Sequence, residues 1–246
     1  GYSKANSTIS NINSSSTPLT ANVSSNGNYV GGLVGYNDST TISNANTNVT
    51  LGGSGTYYFG GLVGYNTASN ISNSTTTGSI SGTSKNYIGG VVGYNITNSD
   101  ISNTSSSLNI TGTGSYVGGL VGYNTTNSDI TNSSTSGTIS GSSYVGGLVG
   151  QNSGATIQNN SYASGIITGN SGSYYVGGLV GLNTSNGSIL NSYVTGVTVS
   201  GANQVGGLTG ENNGTVTING AYVENSSIVG DRDVGGLVGG KYNSTL

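Results

Sequence analysis

A chain of 246 residues with 46 glycines, 32% hydrophobic residues and only 4% charged ones departs sharply from soluble domains, which carry about 25% charge and about 45–50% apolar residues. Its formal net charge of -3, from four bases and seven acids, gives nucleic-acid binding no electrostatic footing and leaves no self-repulsion to hold the chain open. Cysteine and histidine are absent, which removes disulfides and thiolate or imidazole metal ligands, and no run of about 18 apolar residues offers a membrane span.

Gly1-Tyr2 followed by Ile9-Ser10-Asn11 opens the chain with the same pattern that returns at Gly93-Tyr94 and Ile101-Ser102-Asn103. A longer first repeat follows, holding the only proline, Pro18, and is read as one turn with a bulging loop. Next comes the string Gly31-Gly32-Leu33-Val34-Gly35-Tyr36-Asn37, which returns at Gly60, Gly89, Gly118, Gly146, Gly177 and Gly206 and, degraded, at Gly235. The spacings between first glycines are 29, 29, 29, 28, 31, 29 and 29 residues. Leu246 lies as far after Gly239 as Ile42 after Gly35, so residues 1–246 are read as one continuous array that starts and ends in mid-repeat, a fragment of a longer protein.

Three apolar clusters recur in each period. One flanks the glycines, as Val30 with Leu33 and Val34. A second is a single isoleucine, at Ile42, Ile71, Ile101, Ile130, Ile157, Ile189 and Ile218. The third includes Val49 with Leu51, Ile80, Leu108 with Ile110, Ile139, Ile166 with Ile167, Val197 with Val199, and Ile228. Short β-branched runs between Asn-, Ser- and Gly-rich connectors read as strands, and no 3.6-residue apolar stripe supports a helix. The expected fold is all-β: a parallel β-solenoid (β-helix) of about eight coils, about 29 residues and three short strands per coil. No coil buries its apolar side alone, whereas stacked coils share a thin continuous core.

Stacking at about 4.8 Å per coil places like residues over like. Asn37, Asn66, Asn95, Asn124, Asn152, Asn183 and Asn212 form the expected buried amide ladder, each side chain giving and taking a hydrogen bond along the axis. Tyr29, Tyr58, Tyr87, Tyr116, Tyr144 and Tyr175 form a second ladder, and Tyr36, Tyr65, Tyr94 and Tyr123 a third, both expected to add area to a sparse core. The paired glycines imply a corner or bulge that lets Val30 and Leu33 both face inward; strict alternation would instead turn the leucine ladder outward as an apolar strip.

These residues resemble the GLUG-motif repeat family, whose signature is close to Gly-Gly-Leu-Val-Gly-x-Asn. The family occurs in large bacterial surface proteins, including filamentous-haemagglutinin-like adhesins and the non-catalytic regions of immunoglobulin A proteases. The resemblance implies a secreted or surface-anchored stalk or adhesive region with no catalytic residues. Gly240 and Lys241 break the motif in the last copy.

Little else suggests chemistry. Asp100 and Asp129 share a repeat position and would stack as two carboxylates, either a weak cation site or, on the favoured reading, solvated loop residues. Asp231-Arg232-Asp233 reads as a surface charge cluster. No serine has a basic partner at motif spacing, and the glycine string lacks the Lys-Ser/Thr of a phosphate loop. Asn-x-Ser/Thr triplets at Asn48, Asn70, Asn95, Asn124, Asn183 and Asn225 are frequent enough to arise by chance. The expectation is therefore a non-enzymatic, cofactor-free segment of an extracellular or cell-surface fibre or adhesin. It would self-associate or act as a rigid stalk; the alternative is a carbohydrate- or surface-binding module.

Overall fold

Spaced β-branched residues set among glycine, serine and asparagine leave the chain one economical structure, in which each short strand hydrogen-bonds to its own copy one repeat later. The computed structural model describes residues 1–13, 18–53, 57–82, 86–159 and 161–243. Among these the regular structure is strand throughout, and the strand pairings are parallel. The offset is one repeat: Tyr36 pairs with Tyr65, Tyr65 with Tyr94 and Tyr94 with Tyr123. The parallel β-solenoid expected from the spacing is thus the fold. The loop read around Pro18, the base Lys85 and the register of Leu246 fall wholly or partly outside the described residues.

One central coil shows the plan. Strands Val92–Ile96 and Ile101–Ser102 lie on one face; Ser105–Ser106, Asn109–Gly112 and Tyr116–Gly118 lie on the other. The three apolar clusters sit on these ladders, and the polar connectors add short pairs of their own. Two corners join the faces. At one, Asn44, Asn73, Asn103, Asn132, Asn159 and Asn191 adopt φ between 48° and 55°, and Gly220 takes over at 64°. Asparagine tolerates this left-handed region better than other side chains do, because its short polar group can bond locally.

The other corner is Gly-Gly-Leu-Val. Here two consecutive amides share one carbonyl: Leu62 N and Val63 N both donate to Val91 O at 3.0 and 2.9 Å. The same fork recurs from Leu33-Val34 through Leu208-Thr209. This is a β-bulge repeated in every coil, and it turns both residues inward. Leu62, Leu120, Leu148, Leu179 and Leu208 are fully buried beside Val63, Val121, Val149 and Val180. The leucine ladder therefore faces the core. A side chain on Gly89 would fall onto the carbonyl oxygen of Val92, and one on Gly90 onto that of Gly119. Backbone packed this closely admits only glycine.

The core is a set of parallel columns between the faces. Ile42, Ile71, Ile101, Ile130, Ile157 and Ile189 stack in register and are fully buried. Leu51, Ile80, Ile110, Ile139, Ile167 and Val199 form another column. Ile166, expected beside Ile167 in the core, is instead 49% exposed. Adjacent strand residues point to opposite faces, and Ile166 pairs with Thr138 and Thr198 on the outside.

Candidate functional site

The most ordered polar feature lies inside. Asn37, Asn66, Asn95, Asn124, Asn152, Asn183 and Asn212 are completely buried and stack in register. Asn37 Nδ2 donates to Asn66 Oδ1 at 2.8 Å, and the chain continues through Asn95, Asn124 and Asn152 to Asn183 at 2.8–3.1 Å. The second proton of each amide goes to a carbonyl three or four residues on: Thr40, Ser69, Ser99, Ser128, Ala155 and Gly187. From Asn37 to Asn152, each asparagine therefore ties its own turn shut while bonding to the next coil. Lys241 follows Asn212 in register, and the amide column ends there.

Hydroxyl ladders flank the amides. The amides of Thr40, Ser69 and Ser99 donate to the hydroxyls of Ser69, Ser99 and Ser128 one coil on, at 2.9–3.1 Å. Around the asparagine corner, Ala45 N donates to Ser74 Oγ, Thr104 N to Ser133 Oγ and Ser133 N to Ser161 Oγ. Sequence reading missed both sets. Their one signal was a serine or threonine three or four residues after Asn37, Asn66, Asn95 and Asn124, and one or two residues after the corner asparagines Asn73, Asn103, Asn132 and Asn159.

The tyrosines form columns on the outside. Tyr29, Tyr58, Tyr87, Tyr116 and Tyr144 stack with centroids 4.5–5.3 Å apart and planes within 16°, and Tyr175 continues the column at a tilt of 35°. Tyr2, Tyr36, Tyr65, Tyr94 and Tyr123 form a second column at 4.7–5.3 Å. The two meet edge to face, as Tyr58 meets Tyr65 at 5.2 Å and 81°. The rings expected to supply core area are half-buried at the surface, because the inward positions on their strands are already held by the valine columns. A third column, Tyr162, Tyr193 and Tyr222, went unread in the sequence. Burial, followed by neighbouring tyrosines, raises the hydroxyl pKa of Tyr58 and Tyr94 above the usual 10, and that of Tyr116 to about 12.

Acidic residues play local parts. Asp129 N donates to Asp100 Oδ1 at 2.9 Å, Asp100 N to Asn70 Oδ1, and Thr156 N to Asp129 Oδ1. The stacked carboxylates thus cap amides of neighbouring coils on an exposed edge. Asp231, Arg232 and Asp233 are exposed, and Asp233 accepts a hydrogen bond from Gln204. Glu211 takes a place in the second tyrosine column after Gln151 and Leu182; burial pushes its carboxyl pKa up, and Asn213 offsets this by donating to it. Among the described residues no three Asp or Glu gather as a metal-binding group. The triplet asparagines Asn95, Asn124 and Asn183 are inaccessible in the fold, whereas Asn48, Asn70 and Asn225 are exposed.

No curated protein and no solved structure matches the chain. Residues 55–81, 85–111, 113–140 and 172–200 each match the family model described as the GLUG motif. These stretches all contain paired glycines of the bulge corner and an asparagine of the buried column, so the chain is a β-solenoid that carries the GLUG motif repeat.

Proposed function

We propose that this chain is a rigid, non-catalytic scaffold segment of an extracellular surface fibre or adhesin, acting as a stalk or packing with further copies of itself. The observation that carries this reading is the unbroken register: strand pairs with strand one repeat on from Tyr36 to Asn213, and the buried asparagines bond side chain to side chain from Asn37 to Asn183. Such an object is stiff along its axis and extends without redesign, since each added coil repeats existing contacts. Low charge and stacked phenols on the outside favour lateral packing over electrostatic exclusion from neighbours.

Small-angle scattering and electron microscopy across a concentration series test the proposal. A rod that persists at dilution is the stalk outcome, and concentration-dependent bundles are the fibre outcome. A compact globule in both measurements would overturn the reading. Labelling of intact source cells with an antibody to the repeat tests the surface location, and staining that requires permeabilised cells would refute it.

A further inference from the structure

The ends of the tyrosine columns differ. Tyr123 is followed in register by Gln151, and Tyr175 stands next to Gln204 one coil on, so each column runs into a long side chain. The third column has no such cover. Tyr162, stacked on Tyr193 at 5.1 Å and 9°, pairs on its other side with Ser134, which is followed by Ser105 and Thr75. These side chains are too short to fill the place of a ring. One face of Tyr162 consequently looks along the axis into a depression lined by residues 75–77, 105–107 and 134–136. Three missing rings at about 4.8 Å per coil make the slot roughly 15 Å long.

Its floor is a grid of hydroxyls. Thr76 and Thr135 turn inward and spend theirs on Gly90 O and Gly147 O. By contrast, the hydroxyls of Ser105, Ser107, Ser134 and Ser136 bond to no other described residue. An aromatic wall beside free groups that both donate and accept has a definite chemical complement. A pyranose offers a C–H-rich face to the electron-rich ring and a rim of hydroxyls to the floor. A purely apolar ring would stack equally well but would bury these serines without partners.

We propose that the slot beside Tyr162 binds a carbohydrate, with one pyranose stacked on the Tyr162 ring and its rim hydroxyls bonded to Ser134 and Ser105. Within the columns, rings that stack on both sides have their faces covered by one another and turn only edges and hydroxyls outward. This site is independent of the scaffold reading, since it needs only the local interruption of one column.

The experiment uses the full chain with hexasaccharides of β-1,4-linked glucose and of β-1,4-linked N-acetylglucosamine, read by saturation-transfer NMR and calorimetry. Either sugar should bind, with contacts reported on the face of one pyranose. Tyr162→Ser should weaken binding about tenfold, the scale of one aromatic contact, and Tyr162→Phe should leave it within about twofold. Ser134→Tyr extends the column over the exposed face and should abolish binding while the melting transition is kept. If that variant fails to fold, the Tyr162→Ser and Tyr162→Phe pair still decides. Absence of binding by both sugars overturns the proposal, as does binding that survives Tyr162→Ser. A Ser134→Tyr effect on self-association alone, with no sugar bound by the parent chain, would identify a second copy as the occupant and equally overturn it.

Discussion

At the scale of single residues, the buried asparagines and the corner glycines carry the most stringent requirements. Asn95 takes one hydrogen bond from Asn66 and gives two, to Asn124 and to the Ser99 carbonyl. Asn95→Ala takes one partner each from the Asn66 amide, the Asn124 side-chain oxygen and the Ser99 carbonyl in a dry interior, at about 1–3 kcal/mol each. The expected loss is about 3 kcal/mol or more, seen as a lowered urea midpoint; a change under about 1 kcal/mol would show that the amide column contributes little. Glycine is required for a different reason. A methyl on Gly89 would meet the backbone oxygen of Val92, which cannot rotate away, whereas one on Gly52 would meet nothing. Gly89→Ala should therefore cost more than about 3 kcal/mol and Gly52→Ala less than about 0.5 kcal/mol, with both read by thermal and urea unfolding.

At the scale of strands and columns, the tyrosines make the fold sensitive to alkali. The hydroxyl pKa of Tyr116 is raised to about 12, and those of Tyr58, Tyr65, Tyr87 and Tyr94 are also raised, with burial the largest cause. A raised folded pKa means that the folded state holds its proton after the unfolded chain has released it. The contribution is full below pH 10 and is lost as pH rises from about 10 through about 12. Tyrosinate absorbance should accordingly lag behind that of free tyrosine and then rise together with loss of the β-sheet circular dichroism signal. Titration like that of the free amino acid, with the fold intact, would contradict this. The ladders themselves were legible from spacing alone, since a side chain every 29 residues in a stacked coil must meet its copies. Which side of the strand they face was harder to read. The bulge at Leu33-Val34 shifts alternation by one residue, so the tyrosines four places before the leucine and two places after the valine go outward while Leu62 and Val63 both go in. The Tyr162 column was missed because it spans only three coils and is interrupted at Ser134, where periodicity fails.

For the whole molecule, the coil is the unit of both geometry and tolerance. Removing residues 89–117 joins Ile88 to Gly118 and restores the motif in register. The shortened chain should fold with the same circular dichroism per residue and a rod shorter by about 4.8 Å. Removing residues 89–102 alone sets leucine columns against polar connectors, and that variant should be insoluble or unfolded. Solubility, circular dichroism and scattering distinguish these outcomes; equal behaviour of the two deletions would mean that register does not govern the fold. The amide column adds a property that no single coil possesses. Its amides from Asn37 to Asn152 give toward the later coil, and the Asn37 Oδ1 atom finds no partner among the described residues. A one-way relay of aligned dipoles gives the rod a front and a back, with each bond polarising the next. Ser3 stands in register before Asn37 and Lys241 after Asn212, so the relay is closed off within the rod on both sides and its arrow belongs to each rod by itself.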